Sequence, residues 1–497
     1  MEKSTKIWLT VIFLLTIGLR LTVAFQTHNL NYEAYPVLRQ VENIVEKGVP
    51  LFYDDLSYGG RIHLFSPIYH YFLALFGLVF PTILVLKIVP NLLAALLIFV
   101  VYRLAEYLTK NENVSLLAAL LSGFIPVFFN TTINDASIMS VVIPLFFLTI
   151  YYFLQTNRDS KYLNKLIICM VLLTIIHPLS ILLAVSLIIY LLLIKVQNFR
   201  ESMREPEIVL FYTFLAFWIN IMIYKQALLM HGKFILWQNI PTQLIQNTYS
   251  QLTFLDAIYA IGVIPLIFGL TSLYISLFSS KRKTITLMLS ICLAVFILLL
   301  IKALELNIGL IFLGVALSIL SSYSIKRFYE VAKQARFSGA PTLFLILFLV
   351  IFLITFIPNI NTSIERTTNG PDQKQIEAFL WLKNNTQNSS IIMTSLKEGS
   401  AMSYYSERKN VIDTNFLLIR NIDSRYLDSI KIYDDRFLTT ALERLDYYSV
   451  NYILLSEETA NERNITKLAF EGDCVSQVYP QDDSLPKIYR INCRLNQ

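Results

Sequence analysis

Apolar residues gather along this chain in runs long enough to cross a bilayer, and polar positions fall in the gaps between them. A hydrocarbon core of ~30 Å takes a helix of ~20 residues. Eleven stretches approach that length: 7–25, 82–106, 114–129, 137–155, 164–178, 179–195, 207–224, 257–280, 284–301, 306–323 and 341–358. The pattern predicts a polytopic α-helical membrane protein with about 11 transmembrane helices. Ser66 to Phe80 is apolar as well, but it is short and studded with Pro67, Tyr69, His70 and Tyr71, which suits a helix lying in the outer interface. After position 358 charge returns and apolar runs shrink to strand length. Gln373 to Asn384 and Thr439 to Tyr448 carry helical spacing, while Ile391-Ile-Met-Thr, Tyr452-Ile-Leu-Leu and Lys487-Ile-Tyr-Arg-Ile read as strands. The organisation expected is a transmembrane domain over 1–358, with 26–81 as its first external loop carrying interface helices, and a soluble α/β domain over 359–497.

Composition fixes the solvent. Hydrophobic residues make up 55% and charged residues 15%, with a mean hydropathy of +0.56; a soluble chain of this size would have to expose large apolar patches. The net charge of +6 does not signal nucleic acid, because the basic residues sit in alternate short loops. These are Lys3 and Lys6, Arg103 and Lys110, Arg158 to Lys165, Lys195 to Arg204, Lys281-Arg282-Lys283, and Lys326 to Arg336. By the positive-inside rule those loops and the N-terminus are cytoplasmic, and the C-terminal domain is extracytoplasmic. The first run is too long for a signal-peptide core and lacks a small-residue cleavage site, so it reads as a retained anchor in the cell membrane. Cys169 and Cys292 fall in spans. Cys474 and Cys493 fall in the outer tail, where they are either a disulfide or two buried thiols. Sequons at Asn361, Asn384, Asn388 and Asn464 lie on the same side. The absence of internal repeats and the few midplane charges argue against a transporter.

The candidate chemistry lies in the outer loops. The stretch 26–81 gathers acids, aromatics and glycines where a simple turn would need none. Glu33 opens an amphipathic segment with Ala34, Val37, Leu38, Val41, Ile44 and Val45 on one face, and it either serves a reaction or favours the positive end of that helix. Asp54 and Asp55, before the turn Ser57-Tyr-Gly-Gly-Arg61, are site lining or a solvated turn. Asp135, the only acid of the second outer loop, is a helix cap or a second catalytic carboxylate. If both loops cover one cavity, Glu33 and Asp135 can activate an acceptor or hold a divalent cation, and oxygen-only ligands favour Mg or Mn. Arg20 and Lys87 lie near the outer ends of their spans, at the level of a lipid phosphate, unless they only snorkel to the interface. Tyr35, Arg61, His70 and the turn residue His177 are further candidates for lining. The loop 225–256 is long enough to cover a site.

Glu33-Ala-Tyr35-Pro-Val-Leu-Arg39-Gln-Val-Glu42 resembles the first external loop of the GT-C glycosyltransferases, above all the catalytic subunit of oligosaccharyltransferase, where an acid precedes Tyr-Tyr-His-Leu-Arg. Phe379-Leu-Trp-Leu-Lys-Asn-Asn, Ile391-Ile-Met and Arg408-Lys-Asn-Val-Ile-Asp413 resemble its outer domain. The resemblance implies transfer of a sugar or oligosaccharide from a polyprenyl or dolichyl phosphate carrier to a protein or glycan acceptor on the outer face. It implies Glu33 and Asp135 as base or metal ligands, and Arg20, Arg39 and Lys87 at the donor phosphate; Arg39 can equally pair with Glu42 or Glu46. Departures are plain. Pro36 and Val37 replace Tyr and His, the second loop has one acid instead of two, and Ser395-Leu-Lys-Glu-Gly399 stands where that family has Trp-Trp-Asp-Tyr-Gly. Glu305 is in an outer position suited to the family's later external-loop acid. The alternative is a GT-C-shaped subunit that binds or assembles without catalysis, in cell-envelope glycan biogenesis.

Overall fold

The computed structural model describes residues 2–156, 158–199, 204–251, 253–278, 282–334 and 339–495; of the basic loop residues, Arg200, Lys281 and Arg336 lie outside them. Among the described residues seven helical stretches are long and apolar enough to cross a membrane. They become eight when Phe254–Ile261 and Val263–Leu277, bent by 89° at Gly262, count as one span. The other three expected runs form shorter helices. Residues 114–129 break before Pro126 into Glu112–Gly123 and Pro126–Asn130, and the runs 164–178 and 179–195 fold as Leu163–Ile176 and Ser180–Val196 on either side of His177-Pro178. At 1.5 Å per residue the 14 residues of Leu163–Ile176 reach only ~21 Å. One face of each helix packs on protein, where Leu166, Met170, Leu173, Leu183 and Leu187 share one core with Phe146, Phe147 and Phe312, and the other leaves Ile168, Leu172, Ile188 and Leu192 exposed.

The helix Leu306–Gln334 runs through the middle of this core. Its buried face is rich in small residues, among them Gly314, Ala316, Ser318, Ser321 and Ser322, which let neighbouring backbones approach where burial against lipid offers no driving force. Gly269 on the helix Val263–Phe278 meets Leu317 so closely that a Cβ there would lie 2.7 Å from its side chain. By contrast, Lys3–Ala24 and Ala340–Thr367 leave Ile7, Trp8, Leu14, Leu343 and Ile346 open on the outside of the bundle, where lipid covers them. Ser66 to Phe80 yields one ten-residue helix, Ile68–Gly77, which is too short to span.

The C-terminal α/β region is built on a five-stranded sheet. Strands β1 (Tyr53–Asp54) and β2 (Arg61–Ile62) form a separate hairpin in the first loop. Strands β3 (Ile391–Met393), β4 (Lys409–Asn410), β5 (Tyr452–Leu455), β6 (Val475–Tyr479) and β7 (Lys487–Ile491) lie in the order β4-β3-β5-β7-β6. The pairs β4-β3-β5 are parallel and the rest antiparallel. Cys474 and Cys493 close a disulfide across the far end of the β6–β7 hairpin, 19 residues apart in sequence. Closing a loop of that size stabilises by about 3 kcal/mol in the chain-entropy account. Replacing both cysteines by serine is expected to lower the thermal transition of the outer domain in the full-length protein, as reduction of the wild type does.

First loop, bundle and outer domain meet in one apolar cluster. Leu38, Val41 and Ile44 from the surface helix Tyr35–Lys47 pack with Leu73 and Ala74 below and with Phe379, Ala401 and Met402 above. Two ion pairs set the register. Arg39 grips Asp54 with two 2.7 Å bonds, and Arg61 reaches Asp413 at 2.9 Å.

Candidate active site

The segment carrying Glu33 is clamped from two sides. On the bundle side, Asn31 N–H donates to the Asn134 carbonyl at 3.2 Å and its side-chain amide donates to Asp135 Oδ1. On the other side, Tyr32 N–H donates to the Asn369 carbonyl at 3.0 Å. A Cβ on Gly370 would lie 2.2 Å from the Leu30 carbonyl oxygen, so only glycine lets these two backbones touch. The clamp ends in the 3-10 turn Tyr32–Ala34, which runs into Tyr35–Lys47 with proline in its first turn. Glu33 therefore projects from a fixed turn into a cavity. Gly370→Ala is expected to push that turn aside and to cut any transfer by up to ~10²-fold, the cost of a displacement of about 1 Å, with the fold retained by circular dichroism.

Asp135 enters the same cavity from the second outer loop. Asn134 and Ala136 on either side have φ of 59° and 48°, a left-handed conformation that asparagine tolerates and alanine resists. Tyr69 holds the kink by donating its hydroxyl to the Ala136 carbonyl at 2.9 Å. Asp135 is not the cap of the following helix: Ser137 Oγ accepts the Met139 N–H at 3.3 Å. The third acid is Glu305, immediately before Leu306–Gln334.

The cavity has a volume of about 680 Å³ and brings together Glu33, Asp135 and Glu305 with His70, His177, Arg366 and Lys397. Tyr32, Ser66, Tyr69, Tyr224 and Asn307 complete its polar wall. Withdrawal from bulk water raises all three carboxyls, and Glu33 raises Glu305 further. Asp135 is pushed up to about 7, by burial first and then by Glu33, against the Asn31 bond and the Arg366 charge. Burial lowers His70 and His177 to about 4, which leaves both rings neutral at physiological pH. Lys397 is held by Glu458 and Glu462 at 2.8 and 3.2 Å. Arg366, in the last turn of Ala340–Thr367, makes no ion pair with another described residue. Ser66 is 8% exposed and its Oγ has no hydrogen-bond partner among the described residues, at the start of Ile68–Gly77, where free backbone N–H groups point outward.

Several residues expected at the site lie elsewhere. Arg20 is buried in the bundle, donating to Asn91 Oδ1 at 3.0 Å and to Thr132, with its guanidinium over Phe129. Lys87 is spent on the carbonyls of Ala24, at 3.1 Å, and Thr27. Lys87 thereby closes the end of Lys3–Ala24 and Arg20 ties two neighbouring segments by their side chains, because a cation at that depth takes whatever acceptors it can reach. Arg39 pairs with Asp54 and not with Glu42 or Glu46, and burial of Asp54 is outweighed by bonds from His63 and Arg39 that hold its carboxyl well below the usual range. Arg61 pairs with Asp413, Asp55 faces solvent, and Tyr35 is packed between Tyr404 and Tyr405. None of these seven residues lines the cavity. Among the described residues no three of His, Cys, Asp and Glu stand close enough to hold a metal ion. Glu33 and Asp135 therefore make no preformed Mg or Mn cage. Arg366, Lys397 and Ser66 went unnoticed in the sequence, since an isolated cation or serine in a loop carries no signal until folding places it.

The helical bundle, the surface helix Tyr35–Lys47 and the C-terminal α/β domain together make the GT-C fold. No family model and no curated protein matches the sequence. Solved structures do match. The chain is similar to the apo crystal structure of the Archaeoglobus fulgidus oligosaccharyltransferase, with a TM-score of 0.70 and 12% identity over 92% of this chain and 70% of that one. The same enzyme, AglB, in complex with an inhibitory peptide and a dolichol-phosphate gives 0.70 and 13% over 91% and 70%; it has also been solved with Zn and sulfate. ArnT from Cupriavidus metallidurans bound to undecaprenyl phosphate gives 0.57 and 10% over 98% of both chains. At these identities the likeness is one of fold. The chain is a multi-pass membrane protein.

Proposed function

We propose that this protein is a glycosyltransferase that moves a sugar or oligosaccharide from a polyprenyl or dolichyl phosphate-linked donor to a protein or glycan acceptor on the outer face of the membrane. One observation carries the reading: carboxyls from two separate outer loops, Glu33 and Asp135, share a cavity with an unpaired arginine and a helix N-terminus. Acids suit the acceptor, while the cation and N–H groups suit a departing phosphate. The distribution of basic residues supports a cytoplasmic N-terminus and an extracytoplasmic C-terminal domain. Fold relatives solved with dolichol-phosphate and undecaprenyl phosphate favour a lipid-linked donor.

In this reading Glu33 and Asp135 act together, both ionised, to hold the acceptor, and between them they accept the proton from its O–H or N–H as that atom bonds to the anomeric carbon. The bond from that carbon to the phosphate oxygen breaks, and the electron pair leaves with the lipid phosphate. Arg366, Lys397, Ser66 and the first N–H groups of Ile68–Gly77 meet the developing charge. Those groups replace Arg20, Arg39 and Lys87 as the phosphate ligands. A magnesium or manganese ion would have to be completed by the donor phosphate and water beside Glu33 and Asp135, and no step above uses it.

The test is transfer from a labelled polyprenyl-phosphate sugar by the purified full-length protein, with native membrane extract as acceptor, with and without EDTA. Label that moves to protein or glycan supports the reading. Label that stays on the lipid with folded protein in both buffers favours the non-catalytic subunit, and loss on chelation alone brings the cation into the site.

A further inference from the structure

Glu398 has no exposed surface, although it belongs to the outer domain, at the N-cap of the helix Gly399–Ser406. Its Oε1 accepts the Gln375 amide at 2.8 Å, and Gln375 Oε1 accepts the hydroxyl of Tyr32, the residue before Glu33. A carboxylate only accepts hydrogen bonds. Gln375 turns its nitrogen to Glu398 and its carbonyl to Tyr32, so one chain of bonds runs from Tyr32 through Gln375 to the buried acid. Gln375 is itself fixed in the first turn of Gln373–Asn385, where Asp372 accepts its N–H at 2.7 Å. An apolar residue would fill the place of Glu398 at lower cost, since burial raises its carboxyl and penalises the charge. What a buried acid adds is a single permitted arrangement of its partners.

We propose that Glu398 is a positioning residue for sugar transfer, acting through Gln375 and Tyr32 to lock the turn that aims Glu33 into the cavity. The same anchoring aims Lys397, its neighbour, into that cavity from the outer domain. The inference rests on the function proposed above, and it makes the outer domain part of the active site instead of an appended module.

The experiment uses the full-length protein and the variants Tyr32→Phe, Glu398→Leu, Glu398→Gln and the double Tyr32→Phe/Glu398→Leu. Two readouts are taken, steady-state transfer and amide exchange measured by mass spectrometry. Tyr32→Phe and Glu398→Leu are expected to lower kcat roughly tenfold, the scale of one lost bond to a charged or buried group, with the donor KM unchanged. Amides of residues 30–35 should exchange faster while the bundle does not. Glu398→Gln still offers a carbonyl to Gln375 and should retain most turnover, and the double variant should be no worse than Glu398→Leu. Wild-type kcat and wild-type exchange in Tyr32→Phe would overturn the relay, and that variant decides the matter if Glu398→Leu fails to fold. Should the wild type transfer no sugar at all, the proposed function falls, while the exchange data still decide whether Glu398 holds the Glu33 turn.

Discussion

Glu33→Gln is expected to abolish transfer, by about 10²–10⁴-fold for a lost general base, while the protein keeps its thermal transition and its affinity for the lipid-linked donor. The substitution preserves size and removes only the ability to take a proton. No hydrogen bond to the Glu33 side chain is found among the described residues, so nothing structural is broken with it. The backbone bond of Tyr32 to Asn369 and the contact of Leu30 with Gly370 hold the turn without the carboxylate. Labelled donor is followed in membranes carrying wild type or variant at matched protein level. Equal transfer by both would make Glu33 a residue that only favours the start of its helix, and would leave Asp135 or another protein to do the chemistry.

Asp135 should govern the dependence on pH. Its carboxyl titrates at about 7 in the folded protein, against an ordinary 3.8. As a base it works only when ionised, so transfer should climb as pH rises through about 7, and Asp135→Asn should lose both activity and this limb of the profile. The consequence for stability has the opposite sense. An acid whose pKa is raised on folding contributes stability that is fully present below its unfolded pKa and lost as pH rises through the folded value. Wild type should therefore melt lower at pH 8 than at pH 5. Asp135→Asn, still able to accept from Asn31 through its carbonyl, should lose less over that window. Parallel melting curves for both proteins across it would mean that Asp135 is ionised throughout, and that the arginine and Asn31 outweigh its burial.

Much of the outer domain was legible because its strands announce themselves locally. Ile391-Ile-Met, Tyr452-Ile-Leu-Leu and Lys487 to Ile491 are apolar runs bounded by polar turns, and they became β3, β5 and β7 at those positions. The two-residue β4 and the mixed Val475–Tyr479 of β6 carry no such mark and exist through pairing with their neighbours. The lengths of the spans were less legible for a related reason. Hydropathy does not show where a helix ends, and Leu163–Ile176 and Ser180–Val196 are apolar on both faces, with Leu173 and Leu183 in the core and Ile168 and Leu192 on the outside of the bundle.

The sequence by itself determined the solvent, the surface helix of the first loop and two of the acids that line the cavity. Each of these depends on the composition of a short stretch. Only the tertiary structure decided which charges are free. Arg20, Lys87 and Arg39 look like phosphate ligands along the chain and Arg61 like site lining, but a cation near a low-dielectric interior takes the nearest carbonyl or carboxylate, and Asn91, Ala24, Asp54 and Asp413 are brought to them by folding. Arg366 stays unpaired because the last helix ends at the cavity mouth, a position set by the packing of the whole bundle and not by any residue near it in sequence.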